Sequence, residues 1–147
     1  MQIDVIKPGL ATTVQDAGRI GYYHLGIPPS GALDQYSYRA ANLLLGNPET
    51  AAVLEITLIG PALRFNIDSH IAVTGAEIAP RIDGSAHATH TVLAIKAGQT
   101  LTFDPVKAGA RAYLAIAGGI DVPEVLGSRS TYTLGAFGGE TRLVPIG

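Results

Sequence analysis

A mainly β domain with one or two capping helices is what this sequence predicts, and three observations carry that expectation. First, short apolar runs recur between residues 53 and 117, separated by Gly60-Pro61, Asp83-Gly84, Ala97-Gly98 and Lys107-Ala108-Gly109. Evenly spaced short strands between such turn residues mark a barrel or sandwich. Second, only residues 35–45 combine helical spacing with a capping residue and a stop signal. Third, 47% of the 147 residues are hydrophobic and only 15% are charged. That balance fits one domain burying about two thirds of its unfolded surface, with apolar surface left over for contact.

Taken in order, residues 2–6 alternate as a first strand, with Ile3 and Val5 opposite Asp4, and Lys7-Pro8-Gly9 turns the chain. A second extended piece, 12–15, leads into a long polar loop. Asp34 then stands where a helix N-cap belongs, ahead of Tyr36, Ala40, Leu43 and Leu44 at helical spacing, and Gly46-Asn47-Pro48 stops the helix. Pro48-Glu49 is the candidate for a second helical turn. Strands are expected over 53–59, 63–67, 70–74, 77–82, 91–96, 99–103 and 111–117, with a last one over 142–146.

Composition narrows the function classes. The net charge of −2 and the three lysines, Lys7, Lys96 and Lys107, supply no basic stripe for nucleic acid. No apolar run approaches the 18 or so residues of a membrane span, and the opening MQIDVIKPG lacks a signal peptide's apolar core. Without cysteine there is neither a disulfide nor a thiolate nucleophile. A cytoplasmic protein is expected.

Chemistry concentrates in two glycine-rich stretches. In TTVQDAGRIGYYHLGIPPSGALD (12–34), Gln15, Asp16, Arg19, His24, Ser30 and Asp34 lie among four glycines, Gly31 included. Asp16 and Arg19 either pair with each other or present a carboxylate and a guanidinium to a planar polar substrate. Ser30 is a turn hydroxyl or a substrate donor, and Asp34 a helix cap or a catalytic carboxylate. In AGGIDVPEVLGSRSTYTLGAFGG (117–139), Gly119, Asp121, Ser128, Arg129, Ser130 and Tyr132 repeat the style. Arg129 between two serines suits an anion cradle, with pairing to Glu124 or Asp121 as the competing role. Glu55 alternates with Leu54 and Ile56, which puts it on the solvent face or in a barrel mouth. His87 and His90 fall on opposite faces of a strand, so no metal site is expected. Neither a phosphate-binding loop nor a nucleophile elbow is present.

The stretches TTVQDAGRIGYYHLGIPPSGALD, NLLLGNPETAAVLEITLIGPALRF, VTGAE and YLAIAGGIDVPEVLGSRSTY closely resemble the KipA type of the biotin-dependent carboxyltransferase family, nearly colinearly from Ile6 to about Gly139. That family includes the C subunit of 5-oxoprolinase, the allophanate hydrolase subunit 2-like proteins and the corresponding part of urea carboxylase. The resemblance implies a cyclophilin-like β-barrel and a KipI-type partner, the B subunit of 5-oxoprolinase, with its A subunit the further one. It implies ATP-dependent opening of 5-oxoproline to glutamate, or carboxyl transfer from carboxybiotin to an amide nitrogen. Both reactions act on a small amide. ATP is then used by the assembled complex, and biotin comes on another protein, since this chain has no Met-Lys-Met pattern. Within the family motifs, Arg19, Arg129 and the amides near Gly31 and Gly119 become candidates for stabilising negative charge, and Asp16 or Asp34 for proton handling. Gln15, Ser30, Ser128, Ser130 and Tyr132 become candidates for substrate contacts. Family members are generally longer, so residues 1–147 are expected to be the N-terminal half of that architecture, inactive alone if the second half completes the site. A regulatory module that binds a KipI-type chain without catalysis, and a small-ligand barrel, are the rival readings. Convergence of the two loops on one cleft separates chemistry from binding alone.

Overall fold

The computed structural model describes residues 2–139. Ten strands run in the order β1 (Ile3–Lys7), β2 (Ala11–Gln15), β3 (Val53–Thr57), β4 (Ala62–Phe65), β5 (Ser69–Glu77), β6 (Pro80–Ile82), β7 (Ser85–Ala86), β8 (Val92–Ile95), β9 (Thr100–Phe103) and β10 (Ala108–Ile116). One α-helix, α1 (Gln35–Leu44), and a 3-10 turn at Tyr23–Leu25 lie between β2 and β3.

All the strand pairs are antiparallel and form two five-stranded sheets, β1-β4-β9-β6-β7 and β2-β3-β10-β5-β8. The mainly β expectation holds. Among the described residues the sheets do not close into one hydrogen-bonded barrel, although the arrangement is compatible with a cyclophilin-like fold. Consecutive strands β1 and β2 join different sheets, and past the Lys7-Pro8-Gly9 turn the Leu10 amide donates to the Ile59 carbonyl at 3.0 Å.

Alternation sorts the side chains. Leu54 and Ile56 of β3, with Ala112, Leu114 and Ile116 of β10, point between the sheets to meet Val5, Leu63, Phe65 and Leu101. Val53, Tyr113 and Ala115 point the other way and pack under α1 with Tyr38 and Ala41. The second sheet is therefore covered on both faces, which explains why β3 is almost wholly buried.

Several boundaries differ from expectation, and β10 begins at Ala108, inside the expected Lys107-Ala108-Gly109 turn. The strands expected at 70–74 and 77–82 are not divided at Gly75: β5 runs through to Glu77, and Gly75 packs where β10 bulges. A Cβ on Gly75 would sit 2.6 Å from the Arg111 carbonyl. Asp83-Gly84 closes a hairpin onto the short β7, which the pattern did not predict. Pro48 begins a single turn, closed by the Ala51 amide on the Pro48 carbonyl at 2.9 Å, and not a helix. The strand expected over 142–146 lies outside the described residues.

Candidate functional site

The first loop leaves the end of β2 and returns to α1 through a pinched neck. The Arg19 amide donates to the Pro29 carbonyl at 2.5 Å, the Ala32 amide to the Asp16 carbonyl at 3.0 Å, and the Gly31 amide to Gln15 Oε1 at 3.0 Å. Backbones cross there with no room for a side chain, since a Cβ on Gly31 would lie 2.9 Å from the Gly18 Cα. Beyond the neck the loop projects, and nothing in its 3-10 turn is buried. At the exit Ser30 has a positive φ of 53°, and Asp34 caps α1, accepting from the Ser37 amide at 3.0 Å and the Ser37 hydroxyl at 2.5 Å. Those bonds from Ser37 hold the Asp34 carboxyl below the usual carboxylate range.

The second loop is gripped by the first. Asp16 Oδ1 accepts from the hydroxyls of Ser128 at 2.7 Å and Ser130 at 2.6 Å and from the Gly18 amide at 2.9 Å, while Oδ2 accepts from the Arg129 amide at 2.7 Å. Burial pushes the Asp16 carboxyl up, but those hydroxyls and amides outweigh it and hold it below its ordinary value. Arg19 is 1% exposed and takes the same segment by its carbonyls: Nε donates to Val125 at 2.8 Å, and Nη2 to Ser130 at 3.0 Å and Ser128 at 3.4 Å. Its guanidinium carbon lies 5.1 Å from the centroid of Phe137, which Tyr132 meets edge-on at 5.3 Å. The ion pair weighed for Asp16 and Arg19 is not formed among the described residues; each reaches across to residues 125–130 instead. Thr131 completes the join, its amide on the Val14 carbonyl at 2.9 Å and its carbonyl accepting from Gln15 Nε2 at 3.3 Å.

Both loops meet at a cleft of about 620 Å³. One wall is Asp16, Ala17 and Gly18, and the second is Gly118, Gly119, Ile120 and Asp121 with Glu124, Gly127 and Arg129. The third, Pro48, Thr50, Ala51 and Ala52, was missed in the sequence. Two buried asparagines build it. Asn42 Nδ2 holds the Ala51 carbonyl at 2.8 Å, and Asn47 Nδ2 reaches Asn42 Oδ1 at 3.1 Å and the Ile116 carbonyl at 2.9 Å. Asn47 Oδ1 accepts from the Gly118 amide at 2.9 Å. An asparagine inside an apolar helix, followed five residues later by another after a glycine, was the available signal.

Of the residues singled out in the sequence, Asp16, Gly119 and Arg129 line the cleft. Arg19, Ser128 and Ser130 are buried and hold its wall together; Gln15 and Gly31 serve the neck, Asp34 caps the helix and Tyr132 packs on Phe137. Arg129 is tied down on three sides, by the Val122 carbonyl at 2.9 Å, Glu124 at 2.7 Å and Asp121 at 3.5 Å. The cleft thus carries three carboxylates, Asp16, Asp121 and Glu124, against one lining guanidinium. Glu55 corrects the solvent-face expectation. It is 9% exposed, and its Oε2 accepts from the Leu33 amide at 2.8 Å and the Tyr113 hydroxyl at 2.9 Å, while that hydroxyl accepts from the Asp34 amide at 2.8 Å. Burial, with Glu55 adding to it, raises the Tyr113 hydroxyl above its ordinary value.

In this two-sheet β domain the polar loops converge on a carboxylate-rich cleft, the candidate site of the molecule. The family model for the carboxyltransferase domain, subdomain A and B, matches residues 25–145, and the chain belongs to that family. It is 47% identical over 146 residues to the C subunit of 5-oxoprolinase from Escherichia coli, covering 99% of this chain and 47% of that protein. It is 45% identical over 138 residues to urea amidolyase of Saccharomyces cerevisiae, covering 93% of this chain and 8% of that protein. The crystal structure of the urea amidolyase of Kluyveromyces lactis superposes with a TM-score of 0.94 at 44% identity, over 98% of this chain and 9% of that one. The chain therefore spans less than half the length of these relatives.

Proposed function

We propose that this domain belongs to a subunit of an amide-activating enzyme, most directly an ATP-dependent 5-oxoprolinase that opens 5-oxoproline to glutamate. The observation that carries this reading is the convergence of both polar loops on one cleft, with Arg129 on its wall. Identity to the C subunit of 5-oxoprolinase supports it. Opening an amide places negative charge on its oxygen, which an oriented cation stabilises in a site shielded from water. Arg129 fills that role, and the bonds that fix it also aim it. Asp16 on the cleft wall and Arg19 behind it act as positioning residues, holding residues 125–130 in place. ATP is consumed by the assembled complex in the cytoplasm. Its other members are a KipI-type chain, which is the B subunit of 5-oxoprolinase, and the A subunit.

The charge of the cleft favours a second reading as well. Three carboxylates against one guanidinium suit a neutral ureido group better than the carboxylate of 5-oxoproline. Carboxyl transfer to a urea-type nitrogen, with biotin delivered on another protein, fits that preference and the identity to urea amidolyase.

Glutamate release from 5-oxoproline and ATP is the test, with the B-type and A-type subunits and with this chain present or omitted. Release that depends on this chain, and that falls tenfold or more (about 1.4 kcal/mol) on Arg129→Ala, is expected. Urea carboxylation with a biotinylated carrier in place of glutamate release selects the second reading. Neither activity, with the B-type subunit still bound, leaves a binding module or an incomplete half of the enzyme, and restoring the second half separates the two.

A further inference from the structure

Helix α1 is inside out. The residues it turns to the sheet are Ser37, Tyr38, Ala41 and Asn42, two of them polar. Those it turns outward include Tyr36 at 84% exposure, Leu43 at 60% and Leu44 at 40%, and Leu33, at 70%, precedes its cap. A surface helix ordinarily does the reverse. Positions 36, 40, 43 and 44 fall on one stripe, so the large apolar side chains lie side by side.

Charge says what kind of surface covers this stripe. Between residues 20 and 45 the only fixed charges are Asp34 and Arg39. The Asp34 carboxylate is taken by Ser37, whereas Arg39 is exposed and makes none of the described ion pairs. Arg39 also stands at the middle of the ten-residue helix. A two-fold pairing of α1 with a second copy would set the two guanidinium groups against each other, with no carboxylate on the stripe to separate them. We infer that the outward face of α1 docks a different protein, whose matching surface is apolar and carries a carboxylate opposite Arg39. This assignment rests on the subunit reading above and specifies which face of the domain meets the partner.

Calorimetric titration of the chain with its B-type subunit tests it, alongside thermal melts followed by circular dichroism. Leu43→Asp and Arg39→Glu are solvent-facing changes that leave the fold intact. Each is expected to weaken the complex tenfold or more, while Arg39→Lys retains most of the affinity and Val92→Asp on β8 retains all of it. A wild-type complex that the two α1 variants bind equally well overturns the inference and leaves the subunit reading standing. A wild-type self-dimer that Leu43→Asp dissociates overturns the choice of a different protein. Absence of any complex with the wild type takes down both the subunit reading and the interface that rests on it.

Discussion

Asp16 and Arg19, three positions apart, divide one distant segment between them: the carboxylate takes its hydroxyls and an amide, the guanidinium its carbonyls. Asp16→Asn keeps the shape but turns an amide group toward those donors, so we expect a loss of about 1–3 kcal/mol in urea unfolding at neutral pH. The pH dependence has a definite sign. Folding lowers the Asp16 pKa, so its contribution is complete above about pH 4 and is lost as pH falls through the depressed folded value. The variant should accordingly show a flatter acid limb than the wild type. Tyr38 offers a contrast, because its hydroxyl is buried with no hydrogen-bond partner among the described residues. Tyr38→Phe removes that cost, and its melting temperature should equal or exceed that of the wild type. At this scale the sequence singled out Asp16 and Arg19, but the partners they take were among neither of the roles it offered. A local reading sees only the near neighbour, and apart from the Gly18 amide the true partners lie more than a hundred residues away.

At the scale of the element, α1 shows how far pattern carries. Its limits and its cap at Asp34 were legible, because capping is a local contest between a carboxylate and the first free amides. The face it buries was not. Tyr36, Leu43 and Leu44 gave the helical spacing but point outward, while Tyr38 and Ala41 are the residues that pack on Val53, Tyr113 and Ala115. Glu55 was misplaced for a related reason: alternation assigns a side to a strand residue without saying what covers that side. In Glu55→Ala the Leu33 amide loses its acceptor and the Tyr113 hydroxyl one of its partners. We expect about 1–3 kcal/mol of destabilisation, with hydrogen exchange at Leu33 and Asp34 quickened well beyond that of the β4 and β9 amides. Equal protection in variant and wild type would show that the loop exit is held by α1 alone.

Across the whole molecule, the mainly β character, most of the strands and turns and the two polar loops could be read from the chain, because short alternating runs and glycine-rich breaks are statements about neighbours. The division into two sheets and the third wall of the cleft could not, since both depend on where distant segments meet. Within the described residues no helix is long and apolar enough to cross a membrane. The grip of Asp16 and Arg19 on residues 125–130 has a bearing on how the chain matures. Contacts spanning 106 to 114 positions form only after the intervening strands have assembled, because closing so long a loop is repaid late. While the ribosome is still adding β5 to β10, both charges wait in water, and the third wall lacks the Ile116 carbonyl and Gly118 amide that fasten Asn47. The cleft is thus an end product of folding, and a nascent or half-folded chain has no pocket in which to take up a ligand prematurely.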